Sequence, residues 1–372
     1  MARDRPTVSL CLIVKDEEAA LLRCLDSVRD LVDECVVLDT GSSDRTVEVA
    51  RRFDARVFFD VWHDDFARAR NAAFAHARSD YIFWLDADDI LLPADRERFR
   101  ALRHALGGAA PGYTMVYDYA RDPRGISVLR FRLPRVVRRA ANFRWVGRVH
   151  EYLDGPGPLE PSDVIVTHMR QRPAGDRNLR IYRAMTSAGE PFTPRDRLYF
   201  ANELMDHGLY DEAIPLYEAS ADDESMWLED RLWAVNKLAE AHEAKGEREA
   251  MRRAIMRGFD WDAPRPEACC RLGYDALQHG QPRAAAAWYD MALRWAPGET
   301  GGFRIEACHT WLPHLQLAVC LSALGQLRRA CWHNEAAARW VPDDEHVRHN
   351  RDFFRSQGLD PVAIARLPRE PD

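Results

Sequence analysis

Between Thr7 and Asp89 the chain repeats one pattern, a short and almost uninterrupted apolar run followed by a longer stretch of helical periodicity. The runs are Val8 to Val14, Cys35 to Leu38, Arg56 to Phe59 and Tyr81 to Leu85; the helical stretches are Glu17 to Leu31, Ser43 to Phe53 and Phe66 to Ala77. Runs of this length suit strands, and continuous rather than alternating apolarity means a sheet covered on both faces. Strands separated by such helices are joined by crossovers and lie parallel. The pattern predicts an α/β, Rossmann-like, mostly parallel sheet, in which ligands gather at the carboxyl ends of the strands.

After about Gly175 the strand signals cease and helices follow one another. Tyr210 to Tyr217, Gln281 to Tyr289 and Gln326 to Trp332 each begin a second helix after a glycine turn (Gly208, Gly280, Gly325), with a weaker copy after Gly246. The starts recur near the ~34-residue period of a tetratricopeptide helix pair, with an insertion over Pro297 to Thr310. Ala296-Pro297 and Val341-Pro342 close two helices, and most of the tryptophans of this half are expected at inter-helix packing positions. The expected organisation is a sheet domain over 1–172, a linker over 173–194 and an all-α tetratricopeptide-like repeat domain over 195–372, which offers a surface for homo-oligomer formation.

A chain of 372 residues with 47% hydrophobic and 30% charged residues carries two ordinary domains. Its formal charge of -7 argues against a nucleic-acid partner, leaving only local basic stretches such as Arg130 to Arg139 for an anionic ligand. Val8 to Val14 is too short for a signal-peptide core or a transmembrane segment, so a cytoplasmic protein is expected. The eight cysteines lack C-x-x-C spacing and read as buried free thiols.

The fourth run ends abruptly in Leu85-Asp86-Ala87-Asp88-Asp89. On an extended backbone Asp86 and Asp88 share a side and Ala87 points away. Paired carboxylates repel unless a cation lies between them, and hard oxygen ligands suit Mg2+ or Mn2+ on a diphosphate. Taken alone, the same residues suit a solvated acidic loop before a helix near Pro93. The second run enters Asp39-Thr40-Gly41-Ser42-Ser43-Asp44-Arg45-Thr46, a glycine turn and a helix capped by Ser43 or Asp44. Asp39 is placed there to accept from a base N–H or a ribose hydroxyl. Trp62-x-x-Asp65-Phe66-Ala67-Arg68-Ala69-Arg70-Asn71 opens the third helix. Arg70 and Asn71 project toward a diphosphate or a pyrimidine, or else Arg68 and Arg70 pair on the surface with Asp64 and Asp65.

In order and spacing, Cys11 to Glu18, Asp39 to Thr46, Arg70-Asn71 and Leu85 to Asp89 resemble a family 2 glycosyltransferase of the GT-A fold. Gly147-Arg148-Val149-His150-Glu151, Val164 to His168 and Tyr199 to Leu204 extend the resemblance to a bacterial branch that joins such a domain to tetratricopeptide-like repeats. That branch includes S-glycosyltransferases of glycosylated bacteriocins and glucosyltransferases related to lipopolysaccharide-core synthesis. The resemblance implies that Val14, Glu17, Asp39 and Arg70 contact the nucleotide, Asp86 the ribose or metal, and Asp88 and His168 the metal. It implies Mn2+ or Mg2+ and a UDP-sugar donor, with UDP-glucose the first to try. Asp16 stands where the family often has Asn, and Asp89 where it often has Glu.

The expected reaction is an inverting displacement of a hexose onto a peptide side chain or glycan, with the acceptor docked on the helical repeats. Glu151 is the candidate base and His150 its orienter, because they follow the sheet domain in a Gly-x-x-His-Glu context; the same pair also suits a purely structural role. The alternative is a non-catalytic adaptor whose repeats bind a protein partner. A haloacid-dehalogenase-like phosphatase is disfavoured because its Asp-x-Asp follows the first strand, and nucleotidyl transfer because its Gly-rich loop is missing.

Overall fold

Each apolar run forms a strand and each helical stretch a helix: β1 (Val8–Val14), α1 (Glu18–Val28), β2 (Glu34–Asp39), α2 (Thr46–Arg52), β3 (Arg56–Phe59), α3 (Phe66–Ala75) and β4 (Tyr81–Trp84). The computed structural model describes residues 5–122, 125, 127–169, 175–294 and 302–368. These divide into two units, Met1–Leu204 and Met205–Asp372.

In the first unit β3, β2, β1 and β4 pair in parallel in that order. The period of two sorts their side chains onto two faces. Leu10, Leu12 and Val14 pack with Leu21, Leu25 and Val28 of α1 on one face. Cys11, Val36, Leu38 and Trp84 pack with Ala69 and Ala73 of α3 on the other. Burial on both sides is why these strands lack alternation. Beyond them come β5 (Asp89–Ile90), α4 (Pro93–Ala105), β6 (Gly112–Arg121), β7 (Ser127–Arg138), β8 (Arg144–Val146), β9 (Tyr152–Asp154), β10 (Glu160–His168), α5 (Arg177–Ser187) and α6 (Pro194–Asp206). The sheet continues β4-β7-β6-β10-β5. β7 is antiparallel to β4 and β6, β10 is parallel to β6, and β5 is antiparallel to β10. The stretch 173–194, read as a linker, contains α5.

The second unit is a tetratricopeptide-like succession of helices: α7 (Tyr210–Asp222), α8 (Leu228–Ala244), α9 (Arg248–Gly258), α10 (Pro266–Gln278), α11 (Pro282–Arg294), α12 (Glu306–His309), α13 (Trp311–Ala323), α14 (Leu327–Ala338), α15 (Glu345–Ser356) and α16 (Pro361–Ala365). Gly280 and Gly325 take φ +67 and +76 in the turns after α10 and α13, a conformation that side chains resist. Ala296-Pro297 lies outside the described residues, whereas Pro342 follows α14 as expected. The tryptophans meet the expectation of inter-helix packing in part, since Trp288 and Trp332 pack half-buried against the helical core. Among the described residues of this unit none is fully buried, and Trp227 and Trp340 are exposed. Closely approaching helices leave room inside for Cys269, Ala285, Tyr289, Cys320 and Ala330, while the larger indoles lie at the margins. All eight cysteines are free, and all but Cys35 are buried. Among the described residues no helix is long and apolar enough to cross a membrane.

Gly273 marks the tightest approach of α10 to α11: a Cβ there would sit 2.8 Å from the buried Tyr289 ring. Alanine ordinarily stabilises a helix interior relative to glycine. Here Gly273→Ala is expected to destabilise the unit by about 1–3 kcal/mol through overpacking, read as a lowered unfolding midpoint. An unchanged or raised midpoint would contradict that packing.

Candidate active site

The carboxyl ends of β1, β2 and β4 meet where the strand order reverses, and most of the predicted residues stand there. Val14 and Asp39 are register partners. The Val14 side chain belongs to the core, and its carbonyl accepts from the Thr40 N–H and hydroxyl at 3.0 and 3.1 Å. Asp39 is 2% exposed. Its Oδ1 accepts the N–H groups of Gly41 and Ser42, both at 2.9 Å, whereas its buried Oδ2 has no hydrogen-bond partner among the described residues. Gly41, at φ +105, makes that turn possible. Asp16 ties the turn down by accepting the Ser43 N–H at 2.7 Å, and the Glu17 N–H donates to Thr46 Oγ1 at 2.8 Å. Of the two expected caps of α2, Asp44 accepts the Thr46 N–H while Ser43 donates to Asp16.

The acidic run departs from the extended geometry expected of it. Asp89 N–H donates to Asp86 O at 3.1 Å and Asp86 N–H to Asp89 Oδ2 at 3.0 Å, closing a tight turn directly after Leu85. Asp86 and Asp88 therefore diverge instead of sharing a side. Asp86 meets Arg70 Nη2 at 2.6 Å, and Asp88 faces His168, with Oδ1 3.4 Å from Nδ1. His168 arrives because β10 pairs with β5 in the register His168 to Asp89, reinforced by Met169 N–H donating to Asp88 O. Asp88, Asp89 and His168 bring one ligand atom each within 4.8 Å of one another. Burial raises the Asp88 pKa above the ordinary range; His168 opposes that rise, and the Asp86 and Asp89 charges add to it. Burial would lower the His168 pKa, but its bond to Asp89 and the surrounding carboxylates raise it.

Asp89, absent from the predicted set, is fully buried and heavily engaged. It takes Arg135 Nη1 at 2.9 Å on Oδ2 and the Tyr117 hydroxyl at 2.9 Å on Oδ1. The signal available in the sequence was the third carboxylate in the run.

Arg70 is buried, stacked near Trp84 and Trp145, and paired with Glu151 as well as Asp86. Burial disfavours its charge, yet the two carboxylates push its pKa up; burial would raise that of Asp86, and Arg70 brings it down. Surface pairing of Arg70 with Asp64 or Asp65 does not occur; Asp65 instead caps α3 by accepting the Arg68 N–H. Asn71 is also corrected. Its amide donates to Trp145 O and accepts Trp145 N–H, both at 2.9 Å, leaving it a structural clasp rather than a ligand contact. Glu151 and His150 point to different neighbours. The His150 Nε2 lies 2.7 Å from Glu203 Oε1 and its ring stacks on Tyr199.

Residues 9–110 match the model of "Glycosyl transferase family 2". This part of the chain is a family 2 glycosyltransferase domain. A TPR repeat-containing protein of Synechococcus elongatus is 41% identical over 148 residues, 40% of this chain and 35% of that protein. The SPbeta prophage-derived glycosyltransferase SunS of Bacillus subtilis is 27% identical over 214 residues, 54% of this chain and 50% of SunS. The chain thus spans between about a third and a half of the length of these relatives. A crystal structure of Mycobacterium tuberculosis glucosyl-3-phosphoglycerate synthase with Mn2+ and UDP-glucose is 17% identical, covering 50% of this chain and 81% of that one with a TM-score of 0.33.

In the glycosyltransferase domain the Arg135–Asp89 pair carries a test independent of activity. Arg135→Met leaves a buried carboxylate uncompensated and is expected to cost about 3–5 kcal/mol, whereas Arg135→Met with Asp89→Asn should cost less than the sum of the single changes. Additive losses in denaturant unfolding would mean that the pair is not coupled.

Proposed function

We propose that the chain is a metal-dependent, inverting glycosyltransferase that moves a hexose from a UDP-sugar, with UDP-glucose the first candidate, to a peptide side chain or a glycan. The observation that carries the reading is the convergence of Asp88, Asp89 and His168 in a chain whose residues 9–110 match the family 2 glycosyltransferase model, together with Asp39 Oδ2, buried at the end of β2 with no hydrogen-bond partner among the described residues. The donor chemistry suits a divalent cation: the Asp88 carboxylate and the His168 imidazole approach closely, next to an Asp89 whose own oxygens are taken by Arg135, the Tyr117 hydroxyl and the Asp86 N–H. Asp88 and His168 would hold Mn2+ or Mg2+, with Asp89 fixing the imidazole and Asp86 lying behind Arg70. When bound, that ion supplies charge neutralisation for a departing nucleoside diphosphate.

The chain's own groups do the rest. Asp39 Oδ2 accepts from the base N–H or a ribose hydroxyl, which satisfies a buried oxygen that has no partner among the described residues. Val14 carries the strand end beneath it, and Glu17 flanks the nucleotide at the start of α1. Arg70 approaches the diphosphate side while Asp86 and Glu151 fix its guanidinium. Glu151 remains the proposed base: Arg70 engages Oε1, and Oε2 makes no hydrogen bond among the described residues. It takes the acceptor's proton as the hydroxyl attacks. His150 acts on it only through the main chain, by anchoring the loop to Glu203.

The catalytic part expected over 1–172 extends in the first compact unit through α5 and most of α6 to Leu204, and the acceptor docks on the helices of the second unit. A cavity of about 270 Å³ in the helical unit, lined by Trp233, Lys237, Arg271 and Tyr274 over Cys270 and Tyr289, supports that placement.

The test is a donor screen with UDP-, GDP- and TDP-sugars, following released nucleoside diphosphate with Mn2+ or Mg2+ and again with EDTA. Release from one donor should stop on chelation and fall by at least about a hundredfold in Asp88→Ala. Turnover of no donor would refute the reading and favour the adaptor. Glu151→Gln should lower transfer to a hydroxyl about 10²- to 10⁴-fold. A cysteine acceptor, already partly thiolate, should keep much of its rate in the same variant.

A further inference from the structure

We infer that Arg177, the first residue of α5, binds the diphosphate of the donor; the inference rests on the glycosyl-transfer reading above. Sequence analysis left this residue in the linker. Its Cζ lies over the Phe66 ring, 4.6 Å from the centroid, and Phe66 opens α3, the helix that carries Arg70. Glu151, Asp86, Glu17 and Glu203 all act on it electrostatically. Yet Arg177 is exposed and makes no hydrogen bond or ion pair among the described residues.

The neighbouring arginines are committed elsewhere. Arg70 holds Asp86 and Glu151, Arg135 holds Asp89, Arg148 pairs with Glu190, and Arg195 donates to His150 O. A nucleotide diphosphate is itself anionic and enters a site edged by Glu17, Asp86, Asp88, Asp89 and Glu151. One divalent cation and two arginines already paired with these acids leave an excess of negative charge, which Arg177 is placed to reduce. Its planar fork matches phosphate oxygens, and the stack on Phe66 presets the plane of that fork. The diphosphate gains charge as its bond to the sugar breaks, so a cation held there also favours departure.

The experiment is calorimetric titration of the full chain, with Mg2+ present at low ionic strength, using UDP, GDP and TDP and the matching nucleosides. The wild-type chain should bind one diphosphate. Arg177→Gln should weaken that affinity about tenfold and leave the nucleoside unchanged, and Arg177→Lys should recover part of the loss. Equal diphosphate affinity in wild type and Arg177→Gln overturns the inference while leaving the glycosyl-transfer reading intact. Equal weakening of nucleoside and diphosphate also overturns it, since that is the mark of a merely structural role. A wild-type chain that binds no diphosphate overturns the underlying reading and this inference with it.

Discussion

The Asp89 carboxylate sits at 0% exposure inside the sheet, where an unpaired charge would cost several kcal/mol. Arg135, the Tyr117 hydroxyl and the Asp86 N–H together make the burial tenable. The consequences run outward from there. The bond to Asp86 N–H turns the chain sharply after β4 and so separates Asp86 from Asp88. The two residues of β5 then lie against β10, which delivers His168 to the turn. Arg135 is buried too, and its Nε and Nη2 find no acceptor among the described residues; the rings of Trp84 and Tyr117, with centroids 3.9 and 4.4 Å from its Cζ, supply part of what is missing.

Trp84 serves both halves of the site. The Arg70 Cζ lies 4.7 Å from the same indole, and the Trp84 Nε1–H donates to Pro134 O. A large aromatic as the last residue of β4 therefore steadies two guanidinium groups, one directed at Asp89 and one at Asp86 and Glu151. Arg70 in turn ties α3, the acidic turn and the 147–151 loop into one arrangement. The strand end is rigid because its charges are matched in pairs, and each pair joins segments distant in sequence.

The strands and helices through β4 were legible because both faces of a parallel sheet are buried and the period of each element survives in the sequence. The site's position followed from the same rule, since Asp39 and the acidic run lie at strand ends. What was not legible depended on partners. Extrapolating β4 gave Asp86 and Asp88 a shared side, but the turn that separates them is made by hydrogen bonds to Asp89. Asn71 reads as a ligand contact until Trp145, 74 positions away, is seen to engage its amide. Arg135 lay in a basic stretch read as a local patch for an anionic ligand, and nothing local reports that β7 carries it to the centre of the sheet. The tryptophans of the helical unit looked like core from composition alone, whereas the spacing of its helices favours smaller side chains inside.

Those partners also sort the site by what remains open. Asp86, Asp89, Arg70 and Asn71 are closed by the protein itself, so their geometry is set before any ligand arrives. Asp39 Oδ2 is different: an unpaired buried oxygen costs about 1–3 kcal/mol, a loss that a hydrogen-bond donor from outside removes. Asp88 is held above the ordinary carboxyl range first by burial, with the Asp86 and Asp89 charges adding to it, a state that favours a cation beside it. Arg177 rests on an aromatic ring with carboxylates around it and none bonded to it. Under the proposed function these three groups would take a base or ribose donor, a cation and a phosphate respectively, all of which a nucleotide bearing a metal-bound diphosphate presents in one molecule.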